Sequence, residues 1–260
     1  RVSSNNEIIR TLKGSGNKGI NRVMWDLRYE PTYRPKLRSA PAGRPWVELN
    51  GEGRRPLVTW DLDLYRGQLG PRAVPDNYTV KLIIDDKEYI QELTVLKDPN
   101  SAGTLDDIKK QVDFSLELRD AMNLAVNMIN TVEVIRSELN EVIPKLTKPK
   151  DIEQAELLLT KAESIASSLY DVHLTGARED AFRSPMKLYG RLSALASDIT
   201  GHGVDFQPTD QQREVYSVFD KRLKITEDRF IDFTTKDIQA LNKQLKISRL
   251  KILLDKKIKS

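Results

Sequence analysis

The rhythm of apolar residues along the chain changes near Pro99. Before this residue, short runs rich in β-branched and aromatic side chains predict strands at residues 8–12, 20–27, 78–84 and 89–96. After it, apolar residues recur every three or four positions, as they do along one face of a helix. The pattern therefore divides the chain into a β-rich first part and a helical second part.

The clearest local motif of the first part is a hairpin. Two alternating runs, residues 78–84 and 88–95, flank Asp85, Asp86 and Lys87. Aspartate tolerates the left-handed backbone conformation that a tight hairpin turn needs. The spacing predicts two antiparallel strands joined at this turn.

Four helices are predicted in the second part, at residues 104–143, 151–172, 184–200 and 209–245 or beyond. Three of them begin at a side chain that stands three residues before an acid or an amide, which is the pattern of a capping box. Short links between successive helices favour antiparallel packing. The capping pairs are Thr104 with Asp107, Asp151 with Gln154, and Thr209 with Gln212.

A length of 260 residues exceeds that of a typical domain, so two compact units are expected. We expect residues 1–99 to form a β-sandwich and residues 100–260 to form an antiparallel four-helix bundle with long helices. The sandwich carries a long insertion at residues 30–75. Seven prolines and many arginines leave this insertion room only for short strands, such as residues 57–62.

Loops as long as residues 30–75 are usually either functional or braced against another structure. The insertion is therefore our candidate interaction surface. The alternative is that its two tryptophans are buried within their own domain. The candidate residues are Trp46, Trp60, Arg54, Arg55 and Tyr65.

Composition and motifs exclude several classes of function. The chain carries 42 Lys and Arg against 38 Asp and Glu, with the two signs interleaved, which argues against nucleic-acid binding. No apolar run reaches the roughly 20 residues that span a bilayer. The glycine-rich residues 14–19 precede a strand pattern and not a helix, so they do not predict a nucleotide-binding loop. His173 and His202 stand apart from other metal ligands, and cysteine is absent. We predict no catalytic, cofactor-binding or metal-binding residues.

Three segments resemble a known family. They are residues 19–28 (Gly-Ile-Asn-Arg-Val-Met-Trp-Asp-Leu-Arg), residues 74–82 (Val-Pro-Asp-Asn-Tyr-Thr-Val-Lys-Leu) and residues 93–99 (Leu-Thr-Val-Leu-Lys-Asp-Pro). They are similar to the C-terminal region of bacterial sortilin-like, BNR Asp-box propeller proteins that are often labelled glycosyl hydrolases. The resemblance implies that the β-sandwich is immunoglobulin-like and that the helices follow it, so that it spans nearly the whole chain.

Two residues depart from the family pattern, namely Asp76 and Asp86, where the family usually has glycine. Both concern turns. The chain contains no Asp-box of the form Ser-x-Asp-x-Gly-x-Thr-Trp, so no catalytic residue of the family can be assigned to it.

Three functions follow as hypotheses. The first is a non-catalytic structural and interaction region of a larger secreted propeller protein, which contacts its upstream propeller or another protein. A start at Arg1, without an initiator Met, agrees with a C-terminal piece. The resemblance implies a secreted, periplasmic or cell-surface location.

The second hypothesis is a carbohydrate-binding accessory region of a glycoside hydrolase, with Trp46, Trp60, Tyr33 and Tyr65 as a platform for a glycan. The third, an enzyme in its own right, depends only on the hydrolase label of the family.

Overall fold

The computed structural model describes residues 1–4, 7–58, 64–200 and 205–245, without the side chains of Leu64, Tyr65 and Ala181. Four strands form one antiparallel sheet in the order β2-β1-β3-β4. The first two strands come from the start of the chain, and the last two are the predicted hairpin. The strands are β1 (Val2–Ser4), β2 (Glu7–Arg10), β3 (Asn77–Ile84) and β4 (Lys87–Thr94).

Six α-helices are found in the described residues. Short 3₁₀ turns cover Ile143–Lys145 and Arg178–Phe182, and a π-helical turn at Phe233–Asp237 joins the last two helices into one continuous rod. The helices are α1 (Leu64–Gln68), α2 (Leu105–Val142), α3 (Pro149–Leu169), α4 (Leu188–Thr200), α5 (Asp210–Asp232) and α6 (Ile238–Gln244).

The expected fold class, an immunoglobulin-like β-sandwich followed by an antiparallel four-helix bundle, is wrong. The described residues form one mixed α/β fold that has a single small sheet. A sandwich needs two sheets packed face to face, and no described residue between 30 and 58 belongs to a strand. Proline lacks the N–H that a central strand must donate, so this proline-rich segment could not supply a second sheet.

The helices also differ from an isolated four-helix bundle. The short helix α1, from the first part of the chain, packs on α4. The approach is close because Gly67 has no side chain, and a Cβ at this position would lie 2.2 Å from the carbonyl oxygen of Ser193. The helical core therefore includes residues from both parts of the chain.

Several predicted elements are confirmed with small shifts, and others are wrong. Helix α2 begins at the capping box of Thr104 with Asp107, and α5 begins at that of Thr209 with Gln212. Helix α3, by contrast, begins at Pro149 without a side-chain cap, so the predicted start at Asp151 is wrong. The strand predicted at residues 20–27 does not form. Most of the short strand predicted at residues 57–62, and any helix beyond residue 245, lie outside the described residues.

The proline-rich segment lies along α2 instead of forming part of a sandwich. We call residues 30–58 the strap. Its Leu37 is fully buried and belongs to the same apolar core as the helices. Two asparagines of α2, one above the other on the same helix face, accept hydrogen bonds from the strap backbone. Asn123 Oδ1 accepts from the Tyr33 amide at 2.7 Å, and Asn130 Oδ1 accepts from the Lys36 amide at 2.6 Å.

One turn further along α2, the buried carboxylate of Glu133 is the centre of a polar network. Its Oε2 accepts from the amides of Arg38 and Ser39, at 2.7 and 3.0 Å, and from the Ser39 hydroxyl at 2.9 Å. Its Oε1 accepts from Arg136 Nη1 at 2.6 Å and from the Tyr170 hydroxyl. Burial and the charge of Glu133 raise the pKa of Tyr170, so its hydroxyl stays protonated and donates. The network thus ties the strap to α2 and to the end of α3.

Arg55 holds the far end of the strap. Its Nε donates to the Ser39 carbonyl at 2.9 Å and its Nη1 donates to the Leu174 carbonyl at 2.5 Å. The residue is only 4% exposed, and this burial lowers the pKa of its guanidinium. The backbone also pairs where the Arg55 amide donates to the Leu37 carbonyl at 3.0 Å. Arg55 therefore closes the strap into a loop that is braced against the helices.

We expect the Glu133→Gln substitution to lower the free energy of unfolding by about 3 kcal/mol. An amide places an NH₂ group against donors where the carboxylate accepts five hydrogen bonds, and it leaves the buried Arg136 charge with less compensation. Urea unfolding measures the change, and trypsin should then cleave the strap after Lys36, Arg38 or Arg54, its basic residues that no proline follows.

The control is Glu141→Gln, which changes an exposed carboxylate on the same helix. We expect it to alter the free energy of unfolding by less than about 0.5 kcal/mol. Equal effects of the two substitutions would mean that the strap is not held by Glu133.

Candidate interaction surface

A small apolar core lies against one face of the sheet. It consists of Val2, Ile9, Ala73 and Tyr78, all less than one tenth exposed. Trp25 packs edge-on against Tyr78, with ring centroids 5.4 Å apart. The core covers only the end of the sheet where β1 and β2 pair with the start of β3.

Beyond this core, the same sheet face continues with side chains that are exposed in the described part of the chain. Side chains on one face of a strand alternate, and the register pairs Leu82 with Tyr89 and Tyr78 with Leu93. Leu82 is 54% exposed, Tyr89 is 55% exposed, and Ile84 and Leu93 are also exposed. We call these four residues, Leu82, Ile84, Tyr89 and Leu93, the apolar face.

The opposite face of the hairpin carries polar pairs together with two exposed isoleucines, Ile83 and Ile90. Lys81 Nζ donates to Glu88 Oε2 at 2.9 Å, and Thr79 Oγ1 donates to Glu92 Oε1 at 3.1 Å. Pairs of this kind across neighbouring strands are typical of a solvated sheet face. The side with Leu82, Ile84, Tyr89 and Leu93 is the more apolar of the two, and these four side chains are exposed in the described part of the chain.

The turn confirms the predicted hairpin and fixes the register of the apolar face. Asp85 and Asp86 have φ values of 45° and 66°, the left-handed conformation at both central positions of a two-residue turn. A shift of one residue would exchange the two faces. The aspartates therefore place Leu82 opposite Tyr89 on the side of the small core.

Arg28 ties the sheet region to the helices. Its Nη1 donates to the Gly70 carbonyl at 2.8 Å and lies 3.4 Å from the Thr200 carbonyl at the end of α4. The backbone is anchored beside it, since the Glu30 amide donates to the Ile9 carbonyl at 2.8 Å. The hairpin therefore projects from a fixed base.

Of the five residues predicted as an interaction surface, the structure describes the side chains of Trp46, Arg54 and Arg55, and these three differ in exposure. Trp46 is 72% exposed on the strap, and Arg54 is half-buried and pairs with Glu52 at 3.5 Å. Arg55 is buried and holds the strap from inside. Trp60 and the side chain of Tyr65 lie outside the described residues. The exposure of Trp46 contradicts burial of that tryptophan within its own domain.

Sequence reasoning missed the apolar face, although its signal was present. The hairpin was predicted, but both strands were assigned to the interior of a sandwich, where apolar side chains need no further partner. The run of Leu82, Ile83 and Ile84 beside the alternating charges of β4 could have indicated a sheet with one face still to be covered.

Asp180 and His173 make structural contacts near the end of the strap. Asp180 is buried and accepts from the Gly176 amide at 2.7 Å and from the Thr175 hydroxyl at 3.1 Å. His173 Nδ1 lies 3.1 Å from the Ala42 carbonyl, beside the strap. Within residues 1–4, 7–58, 64–200 and 205–245, no group of three or more His, Cys, Asp or Glu side chains could hold a metal ion.

In the same described ranges, no helix combines the length and the hydrophobicity needed to cross a membrane.

Comparison with protein-family models, with curated proteins and with solved structures finds no match to the chain. The resemblance to propeller proteins therefore depends on the three quoted segments alone.

We expect the double substitution Leu82→Thr with Tyr89→Thr to change the free energy of unfolding by less than about 1 kcal/mol, because both side chains are half exposed and threonine favours strands. The fluorescence of the dye ANS, which reports exposed apolar surface, should fall. The matched control is Ile83→Thr with Ile90→Thr on the opposite face. If the control lowers the fluorescence equally, the apolar face is not a distinct surface.

Proposed function

We propose that the chain is a non-catalytic structural and interaction region of a larger secreted propeller protein, and that its apolar face packs against the propeller. The observation that carries this proposal is the contrast between the two faces of the hairpin. One face has cross-strand polar pairs beside Ile83 and Ile90, and the other has four exposed apolar side chains in continuity with a buried core. Surfaces of this kind mark contact sites in soluble proteins.

The pairing of β1 supports a partner in the same polypeptide. The Arg1 amine donates to the Lys81 carbonyl at 2.7 Å, and the Lys81 amide donates to the Arg1 carbonyl at 2.8 Å. In an antiparallel ladder, residues that precede Arg1 would continue along β3 opposite Leu82, Ile83 and Ile84. The polypeptide would thus leave the sheet beside the apolar face, so a domain that precedes Arg1 would be tethered next to it.

The gene is the first test of this proposal. We expect in-frame coding sequence for Asp-box repeats before Arg1. The second test is hydrogen exchange in the longer polypeptide and in the 260-residue chain alone. The Ile83 amide, which points to the side of β1, should exchange at least about tenfold more slowly in the longer polypeptide.

Amides of the α2 interior serve as the internal control, since they should exchange equally in both proteins. Unrelated coding sequence before Arg1, or equal exchange of the β3 amides in the two proteins, would contradict the proposal. Turnover of a glycoside by the 260-residue chain, abolished by one Asp or Glu substitution, would also contradict it.

A carbohydrate platform is the second candidate, and the exposure of Trp46 favours it. An exposed indole offers a flat apolar surface for a sugar ring. If this function is correct, Trp46→Ala abolishes binding on a glycan array while the melting temperature stays unchanged. Phe206→Ala, which removes an exposed aromatic ring outside the strap, should leave binding intact. An array on which the unaltered chain binds nothing counts against this candidate.

A further inference from the structure

A cavity of about 360 Å³ lies between the end of α3, the start of α4 and the middle of α5. Four of its lining side chains are cationic, namely Lys187, Arg191, Arg222 and Arg229, and no lining residue is acidic. Four positive charges equal the formal net charge of the entire chain. The cavity is therefore a local concentration of positive charge in a protein whose charges are otherwise interleaved.

The arginines are held in place without being neutralised. Arg229 Nη2 donates to the Ser164 hydroxyl at 2.8 Å and its Nη1 donates to the Ser168 hydroxyl at 3.3 Å. Arg191 Nε donates to the Met186 carbonyl at 3.0 Å. These acceptors are neutral, and among the described residues no carboxylate forms an ion pair with Arg191, Arg222 or Arg229.

Two of the four cations have acids nearby. Burial raises the pKa of Asp171, but hydrogen bonds from Ser184 and the His173 amide, together with the charges of His173 and Lys187, lower it by more. Asp171 stays ionised as a result, and it offsets part of the Lys187 charge. Arg229 also lines the neighbouring cavity that contains Asp232 and Asp237, although it forms no ion pair with either of them.

A neighbouring cavity shows how such charges are usually balanced. It shares Arg229 and also contains Lys161 and Lys236. There Lys161 Nζ lies 2.7 Å from Asp237, and Lys236 Nζ lies 2.7 Å from Asp232. In the cavity between α3, α4 and α5, the described residues form no such ion pair with Arg191 or Arg222, and both residues are exposed, so an anion from solution can reach them.

The chemistry of the cavity specifies the ligand class. Guanidinium groups bind tetrahedral oxyanions through paired N–H donors. The start of α4, at Leu188, adds the partial positive charge of a helix N-terminus. Ile225, Met186 and Leu188 form an apolar wall, and the volume exceeds that of one phosphate group. We propose that this cavity binds a phosphate or sulfate monoester, with the oxyanion on the arginines and the organic body on the apolar wall.

Isothermal titration calorimetry at fixed ionic strength tests the proposal with glucose 6-phosphate, glucose 6-sulfate, inorganic phosphate and glucose. We expect both esters to bind, inorganic phosphate to bind more weakly, and glucose to give no heat. Arg222→Gln with Arg229→Gln should weaken ester binding by at least about tenfold. The bound ester should also raise the melting temperature of the unaltered chain.

Lys221→Gln with Lys224→Gln is the matched control. It removes the same charge from exposed positions of α5 outside the cavity. We expect less than a twofold change in ester affinity. Equal weakening by both double variants would show that the esters are attracted non-specifically by positive charge. If neither ester binds at about 10 mM, a concentration at which a specific site should be occupied, the cavity is not an oxyanion site. Either result overturns the proposal. It stands apart from the apolar face, so its failure leaves the proposed contact with a propeller untouched.

Discussion

The buried carboxylate of Glu133 is the constraint on which the architecture depends. A proline-rich segment cannot satisfy its backbone through a sheet, and a segment lying on a helix finds no free backbone partners there. Asn123, Asn130 and Glu133 solve this problem with side-chain oxygens that accept from the strap amides. Arg136 then balances the carboxylate charge, so the strap can be buried without leaving an unpaired ion.

Local signals in the sequence predicted the elements whose causes are local. The capping boxes at Thr104 and Thr209 begin their helices, and the hairpin forms at Asp85 and Asp86, because each signal acts within a few residues. The strand expected at residues 20–27 has the right composition but no neighbouring strand to pair with. Only Trp25 of that run packs against the sheet, through Tyr78.

The strap could not be predicted in the same way, because its contacts join residues 90 to 95 positions apart. Periodicity describes α2 as a helix with an apolar stripe, and on that description its polar residues belong to solvent. Asn130 and Glu133 instead face a second layer of backbone. Arg55 was assigned to a surface because an arginine in a loop is usually exposed. Its burial becomes favourable through the hydrogen bonds that it donates to the Ser39 and Leu174 carbonyls, which lie far from it in the sequence.

Comparison of the arginines separates structural sites from binding sites. Arg136 meets carboxylates of Glu133 and Glu163, and Arg55 meets carbonyls, so each charge has partners within the fold. The apolar face and the arginines of the cavity between α3, α4 and α5 are instead exposed to solvent. Leu82 and Tyr89 are more than half exposed, and among the described residues no acid forms an ion pair with Arg222. Glu133 accepts five hydrogen bonds inside the fold, whereas these groups remain open to solvent. An apolar partner would bury the side chains of the apolar face, and an oxyanion would offset the charge of the arginines, as the two proposals require.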